Sequence, residues 1–525
     1  MSLKRLTIPV CLLTMAAPHA HGAGLELNQH GVKELSHGFA GTATLLEDAS
    51  AIAHNPAGLT RLEGHQFSGG VTALYADIDY DVEVRREKVE NRFGLEPRTV
   101  AGGGDANSKS VTPVPHLYYG HKVNEDTAIG VGIYAPFGSG SEFPDNQWAG
   151  RYHAVETEQS TVNINPTISV NLTDSISLGL GAVIQSYEAT LTNQIDLGYL
   201  VAESVINELS ESERTKELVS DILEEAEAVN RTPDDPSRVN KADVNNEIEM
   251  DSIGYGFSFG LLWEVRDDTR VGFNYRSRVQ HVATGDIERP NLDDAGKDIE
   301  EALSNLAKVD EEEAAEGRQA ATGKLGAAPG DINSRVTFPD IATLSVHHDL
   351  TDRLALMGSF SYINWSLFDE IRLEYEIDSD GTTADESIDD PSTRGGEDLV
   401  GGEDLRRRDL VQPLEFSDTM RYGLGARYQY NERVVLRTGA SYDESPLSDS
   451  DFRTPRGPDN DRIILGFGAS YQANEDMMVD VGYAYTRIKE ADVSAQENPA
   501  GTLHRAVGTT RTNIHSLGLQ ANYNF

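Results

Sequence analysis

Past residue 66, apolar and polar side chains alternate along most of the chain with a period of two. In VNINPTISVNL one face carries Val162, Ile164, Pro166, Ile168, Val170 and Leu172, and the other carries Asn163, Asn165, Thr167, Ser169 and Asn171. SISLGLGAVI repeats the pattern through Ile176, Leu178, Leu180, Ala182 and Ile184. RIILGFGASY does so through Ile463, Leu465, Phe467, Ala469 and Tyr471, and MVDVGYAY through Val479, Val481, Tyr483 and Tyr485. Neighbouring side chains of a strand point to opposite faces. Each stretch therefore predicts a strand with one apolar face and one face of Ser, Gly, Asn and Thr. A soluble sandwich turns the apolar face inward, whereas a membrane barrel turns it out to lipid.

The breaks decide between the two. Tight acidic turns fall at 124–126, 173–175, 266–268, 350–352, 430–433 and 474–476, and longer connections lie between them. About fourteen strands result: 67–80, 111–123, 126–137, 159–173, 175–191, 249–265, 269–285, 334–349, 353–376, 415–430, 433–443, 461–473, 477–490 and 511–525. Short turns alternating with long loops mark an outer-membrane barrel, with the turns periplasmic and the loops outside. An even count leaves both ends in the periplasm. The last strand, SLGLQANYNF, sets Leu517, Leu519, Ala521, Tyr523 and Phe525 on one face, as a closing strand should. No internal run of 18 apolar residues offers a spanning helix.

The N-terminus reads as an export signal over 1–22: Lys4 and Arg5, the apolar stretch LTIPVCLLTMAA, then Ala20 and Gly22 before a cut at Ala23. The single cysteine, Cys11, lies within it, so the mature chain has no disulfide to form. A net charge of −42 repels nucleic acid. The acidic loops serve solvation or, alternatively, divalent ions, although no calcium-loop spacing is present.

Two long loops, 193–248 and 286–333, contain apolar residues at helical spacing, among them Leu200, Val201, Val205, Ile206, Leu209, Leu218, Ile222 and Leu223. One or two amphipathic helices in each are expected to lie over the barrel mouth. Their apolar faces either collect an apolar ligand or pack on one another. The third long loop, 376–411, is rich in Asp, Gly and Arg and is expected to be mobile. GFSFG (256–260) matches G-x-S-x-G, but Ser258 falls mid-strand, whereas a nucleophile elbow joins a strand to a helix. His347 and His348 are adjacent on a strand and point opposite ways, which makes no metal site. No enzyme activity, catalytic residue, metal or cofactor is expected.

Several segments resemble one family in order along most of the mature chain. They are AGLELNQHGVKELSHGFAG, DASAIAHNPAG, YAPFGSGSEF, WAGRYHAVETEQSTVNINPTISV, DTRVGFNYRSRV, VTFPDIATLSV, YINWSLFDEI and PDNDRIILGFGASY. The chain is similar to the FadL-type long-chain fatty-acid transporters of Gram-negative outer membranes. The resemblance implies an all-β fold, a fourteen-stranded antiparallel transmembrane barrel (65–525) plugged by an N-terminal hatch (23–64). Asn55, Pro56 and Ala57 match the family's NPA motif in the hatch. Gly138 matches an inward kink of the third strand that opens a gap in the wall, and Pro136 adds a missing ladder donor of this chain's own. The alternative is that the strand simply ends at Ala135. Asp443 matches an acidic position near hatch and gate, or is a surface turn carboxylate. The basic pocket residues of better-known members are replaced here: one aligns with Asn193 and the other falls near Gln412. Arg372, Arg406, Arg407 and Arg408 are the nearby substitutes.

The function this implies is passive uptake of long-chain fatty acids or related hydrophobic compounds by a monomer set in outer-membrane lipid and lipopolysaccharide. Cargo would adsorb on the helical loops, enter an apolar pocket lined partly by Leu25 and Leu27, and leave sideways near Gly138 once the hatch moves. Alternatives are an aromatic or alkane hydrocarbon channel of the same fold, or a surface receptor or adhesin.

Overall fold

In the computed structural model the described residues are 26–100, 102–143, 148–209, 214–229, 241–305, 309, 311–324, 330–368, 370–375, 410–495 and 504–525. The expected export signal, Leu25, Arg406, Arg407, Arg408 and most of loop 376–411 lie outside them.

The chain forms a closed antiparallel barrel of fourteen strands. They are β1 (His65–Arg86), β2 (Asp105–Lys122), β3 (Thr127–Tyr134 and Gly138–Glu142), β4 (Glu156–Thr173), β5 (Ile176–Asp196), β6 (Asp243–Arg266) and β7 (Thr269–Arg276 and Val279–Glu288). There follow β8 (Gly330–Phe338 and Ile341–Thr351), β9 (Leu354–Ile363 and Glu370–Tyr375), β10 (Leu410–Pro413 and Thr419–Asn431), β11 (Val434–Asp443), β12 (Arg462–Gln472), β13 (Met477–Ile488) and β14 (His504–Asn524). Each strand pairs with its predecessor. β14 pairs with β1 from Gln66↔Asn524 to Arg86↔His504, which closes the sheet into a barrel.

The apolar faces point outward. Leu180, Leu424, Phe467, Leu517 and Leu519 are all exposed on the outer surface, where a bilayer would cover them. Phe67, Tyr119, Trp263, Tyr428, Tyr471 and Tyr523 ring the short-turn end, as an interfacial aromatic girdle does. The six tight turns fall where the alternation breaks. The long-loop ends of several strands reach further than alternation alone predicts: β1 runs to Arg86 and β6 begins at Asp243.

Four helices cap the loop end: α4 (Leu197–Glu208), α5 (Lys216–Ala228), α6 (Leu292–Ser304) and α7 (Glu311–Lys324). Smaller helices are α1 (Val32–Ser36) and α2 (Ala51–His54) inside the wall and α3 (Lys88–Phe93) in the first loop. Of the two alternatives for the apolar faces of the capping helices, packing on one another is the one found. Val201, Val205, Val219, Ile222, Ile299 and Leu303 are fully buried in one cluster with Val89 and Ala314. Among the described residues of these four helices no large apolar side chain is exposed. Burying one such side chain is worth about 1.5–3 kcal/mol, so mutual packing outcompetes an open greasy surface.

Candidate functional site

Residues 26–64 fill the lumen and are fastened to the wall at many points. Pro56 ends α2 and starts the 3-10 helix Pro56–Arg61, for which Asn55 is the cap: its Oδ1 accepts the Ala57 amide at 3.1 Å. The Asn55 Nδ2 donates to the Ala43 carbonyl at 2.8 Å and to Leu261 of β6 at 3.1 Å. Further ties run from Ser441 to the Gly38 carbonyl (2.7 Å), from Ser169 to Ala57 (3.1 Å) and from the Ala43 amide to Ser345 (3.2 Å). Lys33 is buried with Asp48 at 2.8 Å and Asp480 at 3.9 Å. Burial disfavours its ammonium, but Asp48, Asp480 and Glu47 outweigh that and hold it above the ordinary lysine value.

The wall is incomplete beside this segment. β2 pairs with β3 only from His116↔Tyr134 to Lys122↔Ala128. Above that point, among the described residues, β2 continues to Asp105 with β1 as its only ladder partner, while β3 resumes at Gly138 against β4 alone. Across the seam the Ser108 hydroxyl donates to the Glu142 carbonyl at 3.0 Å. The register explains the break. Tyr134 opposes Asn163 and Gly138 opposes Ser160, so β3 spends four residues where β4 spends three. The extra residue is a bulge, and a one-residue slip reverses which side chains face inward. Phe137 is thereby buried at 2% exposure. Prolines line both rims: Pro113 and Pro115 on β2, and Pro136 on β3. An unsatisfied N–H facing lipid costs several kcal/mol, and a proline has none.

The N-terminal segment closes the seam from within. Glu26 bridges Phe137 in the manner of a short antiparallel ladder, and the Leu27 amide donates to the Pro136 carbonyl at 2.9 Å. Leu27 packs with Leu74, Val114, Ala135 and Ile514. On the lumen side Phe137 joins a second apolar cluster of inward residues from β5 to β10, including Tyr187, Met250, Phe338, Trp365 and Phe368. The Phe137 and Phe338 rings stack at 4.6 Å and Trp365 stands edge-on to Phe137 at 6.0 Å.

Charges flank this junction. Arg421 grips Glu26 through Nη2, Asn28 through Nη1 at 3.0 Å, and Asp443 through Nε at 3.3 Å. Arg462 reaches Asp443 at 3.5 Å and Asp459 at 3.1 Å. The Arg276 guanidinium lies 5.0 Å from the Phe137 ring centroid and 3.9 Å from Glu26.

The structure thus gathers Leu27, Pro136, Gly138 and Asp443 around one junction and puts Asn55, Pro56 and Ala57 on the same inner segment. Two expectations change. The break expected at Gly138 falls just before it, at the bulge Ala135–Phe137, and Gly138 itself resumes the strand with no positive φ. Arg372 stands apart on β9, paired with Glu370 at 2.8 Å. Asn193 is buried in a neutral network with Tyr152, Gln194 and Asn246. Ser258 lies mid-strand opposite Gly181 and Arg276. Glu26, Phe137, Arg276 and Arg421 had not been singled out; the signal available for the seam was VTPVP, two prolines in a strand whose neighbours alternate.

Residues 13–525 match the family model described as outer membrane protein transport protein (OMPP1/FadL/TodX). Outer membrane protein P1 of Haemophilus influenzae is 26% identical over 98% of this chain and 97% of its own length. The long-chain fatty acid transport protein of Escherichia coli O6:H1 is 26% identical over 94% of this chain and 93% of its own. Among solved structures, a Pseudomonas aeruginosa FadL homologue superposes with a TM-score of 0.70 at 21% identity, covering 96% of this chain and 100% of that one. The Pseudomonas putida toluene transporter TodX gives 0.57 at 15% identity, covering 95% and 99%. With the barrel, its lumen-filling N-terminal segment and this full-length match together, the chain belongs to the OMPP1/FadL/TodX family of outer-membrane transport proteins.

Proposed function

We propose that this protein takes up long-chain fatty acids or related hydrophobic compounds passively, and releases them sideways through the seam between β2 and β3. The observation that carries the reading is a broken ladder in a lipid-facing wall, rimmed with prolines and corked by Leu27. A wall that only had to be tight would pair those strands fully. Residues 26–64 act as the hatch, with Asn55, Pro56 and Ala57 as its brace. The aromatic cluster around Phe338 and Trp365 is the apolar stage before the exit. Each buried CH₂ is worth about 0.8 kcal/mol, so a long chain is captured without an energy source. Cargo enters the lumen at the loop end, past the helices rather than on their apolar faces. The fatty-acid relatives favour a carboxylate cargo, and Arg276 and Arg421 beside the cluster supply the matching charge. TodX speaks for a neutral one.

Uptake of radiolabelled oleate and hexadecane by cells lacking their own transporter tests this. Gly138→Val is expected to cut uptake several-fold with the amount of folded barrel unchanged. Undiminished uptake contradicts lateral release.

A further inference from the structure

The carboxylate of Glu26 sits in a place that suits a cargo head group. It is held by Arg421, lies 3.9 Å from Arg276, and belongs to the residue that bridges Phe137 at the seam. Arg276 is 8% exposed and its Nε is buried with no hydrogen-bond acceptor. Charge balance at the junction depends on Glu26. Among the described residues, the ion pairs of this junction set Arg276, Arg421 and Arg462 against Glu26, Asp443 and Asp459. If Glu26 leaves, three guanidinium groups face two carboxylates inside the protein, a strongly unfavourable arrangement unless another anion arrives. Glu26 is joined by one peptide bond to Leu27, whose side chain corks the gap and whose amide binds Pro136. Moving the one therefore moves the other.

We propose that Glu26 is a built-in stand-in for an anionic head group: its carboxylate is exchanged for that of an arriving amphiphile, and this exchange frees the N-terminal segment from the seam. The inference rests on the uptake reading above and adds a specificity rule to it. An amphiphile with a carboxylate balances the arginines and opens the seam. A neutral chain of the same length fills the aromatic cluster but leaves the latch shut.

The test uses the full-length protein in lipid nanodiscs with Gln29→Cys carrying a nitroxide spin label; the mature chain is expected to hold no other cysteine. Oleate and oleyl alcohol are added at equal concentration. Oleate is expected to raise the mobile fraction of the spectrum several-fold over oleyl alcohol. In the Glu26→Gln background the label is expected to be mobile before any cargo is added, with little further change on adding oleate. Equal mobilisation by the two cargoes overturns the proposal, as does a Glu26→Gln label as immobile as its parent. Should Glu26→Gln not fold, the comparison of the two cargoes on the parent decides alone. Equal mobilisation with Gly138-sensitive uptake intact sinks the latch and spares lateral release. Uptake insensitive to Gly138 sinks lateral release itself.

Discussion

Asn55 ties two parts of the inner segment and the wall together through one carboxamide, with bonds to Ala43, Ala57 and Leu261. Asn55→Ala leaves those buried groups without partners, a cost of about 1–3 kcal/mol. Amides of residues 51–58 should then exchange with solvent roughly ten- to a hundredfold faster, read by hydrogen-exchange mass spectrometry; an unchanged rate would mean that Asn55 braces nothing. The chemistry of that carboxamide was legible from the tripeptide Asn55-Pro56-Ala57, but its partners, 206 residues away in the case of Leu261, were not. The inward glycines carry a related message. A Cβ on Gly466 would collide with the Gly38 amide nitrogen, so that strand position is small because the inner segment's backbone touches it. Gly466→Val should expel that segment locally while the barrel still forms, detected as new protease cleavage near Gly38. Alternation marked Gly466 as inward without saying what it faces.

At the scale of elements, the inner segment holds three buried histidines. Burial lowers His54 to about 3 and His37, which also feels Arg437, to about 3; burial, with His54 beside it, takes His30 well below its ordinary value. Such groups are neutral when packed and bind protons when released, near pH 6.5. Their contribution is therefore complete above that pH and is lost as pH falls below it. Glu34, raised by burial and by Asp48, works the other way. The three histidines outnumber Glu34. Burial disfavours the carboxylates of Glu47 and Asp48, but Arg437 and Lys33 outweigh it and hold both below ordinary carboxylate values, which adds to the loss toward pH 4. Packing of residues 30–54 should therefore weaken by about 1–3 kcal/mol per pH unit between pH 6 and 4. Their exchange rates at pH 5, corrected for intrinsic chemistry, should exceed those at pH 7; equal protection would show that the histidines stay neutral when released. The capping helices were legible as helices because their apolar residues recur every three or four positions. Their packing partners were not, since helical spacing reveals a face but not what covers it. The bulge in β3 was legible only in part: Pro136 marks the place, whereas the register slip against β4 is a property of two strands.

For the whole molecule, the fourteen-strand barrel was readable because alternation recurs strand after strand and six tight turns punctuate it, so each repeat corrects the others. The lumen was less readable, since inward Ser, Gly, Asn and Thr suit a water-filled pore as well as a filled one. Deleting residues 26–64 should convert a nearly silent protein into one with steady ion conductance in planar bilayers. Conductance no greater than that of the intact chain would mean that other groups block the bore.

If the N-terminal segment corks a lateral opening, as we propose, a reversible lock across the seam should stop and restore uptake. Leu27 and Ala135 share one apolar cluster across the seam. In a Leu27→Cys, Ala135→Cys variant, oleate uptake should stop when the pair is oxidised and return on reduction with dithiothreitol. Uptake as fast in the oxidised as in the reduced protein would contradict the account.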